Sequence, residues 1–164
     1  MTTIRRMSPA DWPETWLFVQ AMFRAGTTFP QPPDIDEASA RRFWLEQPTA
    51  TCVAADATDR PVGSYYLKPN QPGQGAHVAN AGYVVAAAYR GRGIGTALCR
   101  HSLSLAQDLG FRALQFNLVV VTNHSAIRCY QRLGFDRIGV LPRAFAHPTA
   151  GDVDALVFFK NLAS

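Results

Sequence analysis

The sequence predicts an α/β fold on one mixed, mostly antiparallel sheet, and three observations carry that expectation. Extended and helical segments follow the order strand, two helices, three strands, helix, strand, helix, two strands, which suits a single α/β layer system with one parallel crossing in its second half. His77–Ala87 is almost continuously apolar, as in a strand covered on both faces. A glycine-rich turn, Arg90-Gly91-Arg92-Gly93-Ile94-Gly95, leaves that strand and opens a helix.

Each element has its own reason. Thr3–Met7 reads as a first strand, stopped by Ser8-Pro9. Trp12–Phe23 sets Trp16, Phe18, Val19, Met22 and Phe23 at helical spacing, with Ser8 or Asp11 as cap and Pro13 in the first turn. Gly26–Pro33 is a proline-rich loop that carries Thr28 and Phe29. Asp36–Leu45 is amphipathic through Ala40, Phe43 and Trp44. Thr51–Ala55 and Val62–Leu67 are strands joined by a turn at Asp56–Pro61, and Pro69–Gly75 is a loop. Gly93–Leu109 is helical, with Ile94, Leu98, Leu105 and Leu109 on one stripe. Ala113–Val121 is an apolar strand, and Asn123–Leu133 is a helix capped by Asn123. Both of these helices run into Gly-Phe, Gly110-Phe111 and Gly134-Phe135, a left-handed stop followed by an apolar contact. Strands at Asp136–Leu141 and Val153–Phe159 flank a loop, Pro142–Gly151.

With 164 residues and no repeat, low-complexity tract or linker, the chain is expected to be one domain spanning 1–164. Hydrophobic residues at 48% and charged ones at 17% suit a globular core that needs no disulfide or structural metal. No apolar stretch reaches bilayer length, and the N-terminal residues lack a signal-like core, so no membrane partner and a cytoplasmic location are expected. Cys52, Cys99 and Cys129 lack ligand spacing, which reads as reduced, buried thiols and no metal. A net charge of +4 raises the question of nucleic acid, but Arg5-Arg6 and Arg41-Arg42 are isolated pairs and no recognition helix or stacking platform is evident. The same field suits a polyanionic small ligand.

The glycine turn names the kind of anion. Gly91, Gly93 and Gly95 carry no Cβ and let main chain approach a ligand, and the following helix offers unpartnered N–H groups at its positive end. Together these make a diphosphate cradle. A nucleotide P-loop needs Gly-Lys-Ser/Thr, whereas Gly95-Thr96 follows Ile94; a dinucleotide fingerprint belongs near a first strand, and this loop lies past mid-chain.

Downstream comes Asn123-x-x-Ala126-x-x-Cys129-Tyr130-x-x-Leu133-Gly134-Phe135. Taken with Arg90-x-x-Gly93-x-Gly95, it resembles the two cofactor-contacting motifs of the GNAT acetyltransferases, over roughly Val84–Phe135. The resemblance implies the GNAT fold, a sheet of about seven strands with four helices and a splayed central strand pair, and acetyl-CoA as cosubstrate. It implies that the backbones of Val84 and Val85 hold pantetheine and the acetyl carbonyl. Arg90, Gly91, Arg92, Gly93, Ile94, Gly95 and Thr96 then hold the diphosphate, and Asn123 contacts the cofactor. Tyr130 matches the tyrosine that protonates the departing thiolate in many members, although it also reads as a core residue beside Ala126 and Leu133.

Many members carry a glutamate base on the central strand. Here His77–Val84 has no carboxylate, which favours a water relay or capture of the neutral amine; His77, at the strand's end, reads as structural more readily than as a base. Asn80 and Asn117 interrupt apolar strands, and buried amides need partners or a ligand. His77-Val78-x-Asn80-x-Gly82, Phe116-Asn117-Leu118-Val119 and Thr122-Asn123 resemble fungal GNAT enzymes that acetylate azetidine-2-carboxylate and other proline analogues. That resemblance implies that Asn80 and Asn117 bind the acceptor's carboxylate and orient its ring nitrogen, with Asn123 completing the site and Asn80 joining Tyr130 in the catalytic group. Thr28 and Phe29, in the proline-rich loop, are expected as walls of the acceptor pocket. The expected reaction is direct transfer of acetyl to the amine of a small molecule within a ternary complex. A protein or peptide acceptor, or a non-catalytic module that binds acyl-CoA, remains open at this stage, as does a homodimer.

Overall fold

The structure, a computed structural model, describes residues 2–162. Seven strands form one sheet: β1 (Thr3–Arg6), β2 (Ala50–Ala55), β3 (Pro61–Pro69), β4 (Val78–Val85), β5 (Ala113–Val120), β6 (Asp136–His147) and β7 (Gly151–Asn161). Their order is β1-β2-β3-β4-β5-β7-β6. Every neighbouring pair is antiparallel except β4 and β5. Four helices cover the sheet: α1 (Trp12–Ala25), α2 (Glu37–Arg41), α3 (Ile94–Asp108) and α4 (His124–Arg132).

The pleat sorts the core into two clusters. Leu67, Ala79, Ala81, Leu114, Phe116 and Phe158 pack with Ile94 and Leu98 of α3 and with partly buried Tyr130 of α4. Tyr66 and Val84 pack with Trp12, Phe23 and Trp44 on the α1 side. The buried indole N–H of Trp44 donates to Ser64 Oγ (2.9 Å), which donates to the Cys52 carbonyl (2.8 Å), so that neither of these buried side chains is left without a partner. Helices α3 and α4 close as their Gly-Phe signals predict. Phe111 N–H donates to Ala106 O (2.9 Å) and Phe135 N–H to Tyr130 O (3.0 Å), the outer bonds of the two caps.

Three expectations need correction. The helix expected over Asp36–Leu45 is regular only through Arg41; Arg42–Glu46 forms a π turn closed by Gln47 N–H on Arg42 O (2.9 Å). Within it Trp44 is fully buried and edge-on to Tyr66 at 5.0 Å, so aromatic packing overrides the 3.6-residue period. Strand β6 does not stop at Leu141 but continues across Pro142 to His147. It is the sheet's edge, where a missing N–H is tolerated. A register shift between Leu141 and Phe145 absorbs the irregularity, with Arg143 at φ 49° and its N–H on Asp154 Oδ1 (2.9 Å). The buried face of α3 is Ile94, Leu98, Cys99, Ser102 and Ala106, while Leu109, expected on the stripe, is 37% exposed.

Candidate active site

The site begins with strands that part. β4 and β5 pair only at Val78↔Ala113 and Ala79↔Leu114, then separate. On its other side β4 follows β3 without a shift from Ala79 to Val85. Asn70 N–H donates to Val78 O (2.8 Å) and Ala86 N–H to Val62 O (2.9 Å), which fixes the phase of the ladder. In an antiparallel ladder alternate residues bond the partner, so Asn80, Gly82 and Val84 face β3. Ala81, Tyr83 and Val85 turn their N–H and C=O groups into the gap. Of the two valines expected to offer main chain to a ligand, Val85 opens on the gap, whereas Val84 bonds β3 and buries its side chain on the α1 side.

A cleft of about 740 Å³ runs through this gap from one face of the sheet to the other. At the α3 end, Gly91 and Gly93 adopt φ 74° and 79°, which side-chain-bearing residues rarely do. The first helical bond is Ala97 N–H to Gly93 O (3.0 Å), so the amides of Ile94, Gly95 and Thr96 precede it and remain free to donate outward. A Cβ built on Gly93 would meet nothing within 4 Å; the space before this helix end is open. Arg90 lines the cleft with its Nε on the Val85 carbonyl (3.3 Å). Arg92 instead stacks on Tyr89 (5.1 Å) and lies outside the lining. Asn123 lines the cleft as the cap of α4, its side chain accepting from Ala126 N–H (3.4 Å). Among the described residues no Asp, Glu or His lines the cleft. An open cradle of free amides at Gly93–Thr96, a cationic lip and unpaired strand edges at Tyr83 and Val85 suit a ligand with a diphosphate and an amide-bearing arm, as coenzyme A has.

Beyond the gap stands Tyr130, packed on Phe116 (4.2 Å between centroids) and near Tyr83 (6.4 Å). Burial pushes its phenol well above the ordinary value, so it carries its proton at neutral pH. Cys129, one residue earlier, also lines the cleft, with Sγ 3.6 Å from Thr96 Oγ1. Its thiol is pulled down to about 6, chiefly by a hydrogen bond from Cys99 and then by Thr96, Arg100 and Arg132 against the opposing effect of burial. The buried-hydrophobe expectation holds for Cys52 and Cys99; Cys129 is half-exposed.

The other end of the cleft lies on the α1 side, where Thr28 and Phe29 line it as expected. Phe29 and Tyr66 lie across Gly82, with atoms 2.7–2.9 Å from where a Cβ would stand. Asn80 donates Nδ2 to Gln115 O (3.0 Å), bridging β4 to β5, while its Oδ1 makes no hydrogen bond among the described residues. Asn117 is held at both ends: it accepts from Gln115 Nε2 (3.0 Å) and donates to Asn70 Oδ1 (2.6 Å). His77 is exposed and outside the lining. Two lining residues escaped the sequence reading. Gln31 buries an Oε1 with no partner among the described residues. Lys68 sits with Nζ 4.9 Å from the Phe43 ring centre and 5.5 Å from that of Tyr66. Neither carries a local signal: a lysine ending a strand and a glutamine in a loop read as solvated.

Comparison with known proteins agrees with this geometry. The profile of the acetyltransferase (GNAT) family matches residues 12–135. N-acetyltransferase aca1 of Schizosaccharomyces pombe is 31% identical over 165 residues, covering 90% of this chain and 78% of that protein. The structure of a GCN5-related N-acetyltransferase from Kribbella flavida superposes with a TM-score of 0.93 at 43% identity, covering 98% of this chain and 97% of that one. A phosphinothricin acetyltransferase from Sinorhizobium meliloti, solved with AcCoA, has a TM-score of 0.88 at 19% identity, covering 99% and 89% of the two chains; it supports the fold. Matching profile, relative, architecture and cradle together place this chain in the acetyltransferase (GNAT) family, whose acyl donor is acetyl-CoA.

Proposed function

We propose that the chain transfers acetyl from acetyl-CoA to the amine of a small molecule, an amino acid or a toxic analogue of the proline or azetidine-2-carboxylate type. The observation that carries this reading is the aromatic wall of the acceptor end. Phe29 and Tyr66 lie against Gly82, and Phe43 and Lys68 line the same cleft, which favours a compact substrate over an extended chain. The absence of carboxylates in the lining also argues against an acceptor recognised by its positive charge.

Acetyl-CoA supplies the activated acyl group, and this chain's residues supply orientation and protons. The amides of Ile94, Gly95 and Thr96 hold the diphosphate, with Arg90 beside them and Asn123 at the opposite wall. The gap-facing N–H groups of Tyr83 and Val85 grip the arm and donate to the acyl oxygen, replacing water with a fixed dipole. Asn80 Oδ1 accepts from the amine and points its lone pair at the acyl carbon. A new C–N bond replaces the C–S bond, the amine loses one proton, and the sulfur gains one from the hydroxyl of Tyr130, which regains a proton from water. With no carboxylate at hand, the amine's proton leaves to water. Orientation supplies most of the acceleration, since it turns two free reactants into an aligned pair. We read the chain as one catalytic domain, 1–164, that works in the cytoplasm; among the described residues no helix is long and apolar enough to cross a membrane.

Thiol release from acetyl-CoA, followed with free amino acids and cyclic imino acids beside peptides, tests this reading. Turnover is expected with the small acceptors. Turnover confined to peptides overturns it.

A further inference from the structure

We propose that Lys68 anchors a carboxylate of the acceptor, so that the substrates are amino acids with a free carboxylate and not plain amines. The inference rests on the small-molecule reading above and names its substrate class.

The argument starts from an unneutralised cation. Lys68 lies near the end of β3, opposite Asn80 in the register and on the same face as Tyr66. Its ammonium is held between two aromatic rings, Phe43 and Tyr66, in the wall of the acceptor end. The ion pairs among the described residues use Arg5, Arg41 and Arg60, and Lys68 enters none of them. Among the described residues no Asp or Glu lines the cleft, and the other lining cation, Arg90, belongs to the diphosphate end. A half-buried ammonium without a counter-ion is a poor arrangement for its own sake, because desolvation opposes the charge; burial already lowers the pKa of Lys68. An incoming carboxylate supplies the missing partner in a setting where rings exclude water.

The asparagines leave this role open. Asn117 spends both ends of its amide on Gln115 and Asn70, and Asn80 spends its N–H on Gln115 O. What Asn80 still offers is a carbonyl oxygen, which suits an amine and repels a carboxylate. The register also agrees. Lys68 and Asn80 are facing partners on β3 and β4, so their side chains share one face of the sheet. An α-amino acid separates amine from carboxylate by two bonds, which suits one molecule meeting both Asn80 Oδ1 and Lys68.

The test compares a cyclic amino acid with its carboxamide. The native chain is expected to favour the acid by at least tenfold in kcat/KM. Lys68→Met should raise the acid's KM at least tenfold and collapse the acid-to-carboxamide preference, with acetyl-CoA affinity within about twofold. Lys68→Arg should keep the preference for the acid, since a guanidinium holds a carboxylate but cannot take a proton. Cyclopentanecarboxylate, which has no amine, should compete with the acceptor on the native chain, and cyclopentanecarboxamide should not; this arm needs no variant. An acid-to-amide ratio unchanged by Lys68→Met, a Lys68→Arg variant dead towards both substrates, or no competition by the carboxylate overturns the assignment while the small-molecule reading stands. Native activity on peptides alone overturns both.

Discussion

Replacing Gly82 with alanine tests the acceptor wall with one carbon atom. The new Cβ would stand 2.7 Å from Tyr66 Cε1 and 2.8 and 2.9 Å from Phe29 Cζ and Cε1. Carbon contacts are favourable near 3.5–4.0 Å, so both rings must give by roughly 1 Å. Tyr66 is 4% exposed, sits on a central strand, and is pinned by Trp44 at 5.0 Å and Phe43 at 5.3 Å, so its retreat is the costly one. Phe29 belongs to a loop and yields more readily, against its contacts with Phe23 (5.9 Å) and Trp44 (5.7 Å). Overpacking of this size costs about 1–3 kcal/mol, roughly 2–12 °C of Tm for a chain of this length. A displaced wall of the acceptor end misplaces the amine, and about 1 Å of misplacement costs up to roughly a hundredfold in rate. Gly82→Ala should therefore lower kcat/KM for the acceptor by tenfold or more, while acetyl-CoA affinity, which we assign to Gly93–Thr96, stays within about twofold. Steady-state kinetics, calorimetric titration and a melt measure the three quantities. A variant with native Tm and native acceptor kinetics refutes the packing argument.

Other expectations follow from the same geometry. Gly93→Asp puts a side chain on a residue at φ 79° and a negative charge into the open cradle; the chain should fold about 1–2 kcal/mol less stably and lose acetyl-CoA binding by calorimetry. Alkylation of Cys129 by iodoacetamide should follow a thiolate that titrates near 6, reaching its plateau above that pH; saturating coenzyme A should slow it, and peptide mapping should find buried Cys52 and Cys99 unmodified. Asp11 is held down to about 2 by hydrogen bonds from Arg5, so its stabilisation is fully present above its unfolded value of 3.8 and is lost as pH falls towards 2. At about 1.4 kcal/mol per unit the shift is worth about 2 kcal/mol, and Asp11→Asn should remove that much from the urea stability at pH 6 but little at pH 2.

Much of this was legible along the chain. The cradle could be read because its parts are consecutive: a buried strand, glycines and a helix start. The two Gly-Phe stops were local in the same way. The residues that the sequence hid depend on contacts far apart in the chain. Which of Val84 and Val85 opens on the gap follows from the phase of the β3–β4 ladder, and period-2 patterning gives side-chain faces, not hydrogen-bonding phase. Asn117 looked like a residue awaiting a ligand until Asn70, 47 positions earlier, filled its N–H. Lys68 became notable only when Phe43 closed over it, and Cys129 only when α3 brought Cys99 and Thr96 to its thiol. The π turn at Arg42–Glu46 and the run of β6 past Pro142 reflect tertiary packing and an edge position that outvoted local propensity.

The most direct test is calorimetric titration of the folded chain with acetyl-CoA. The open strand edge at Tyr83 and Val85 and the free amides of Ile94–Thr96 predict saturable uptake at one site per chain, weakened by added salt because the diphosphate is held by charge and dipole. A folded chain that takes up none of it contradicts the account.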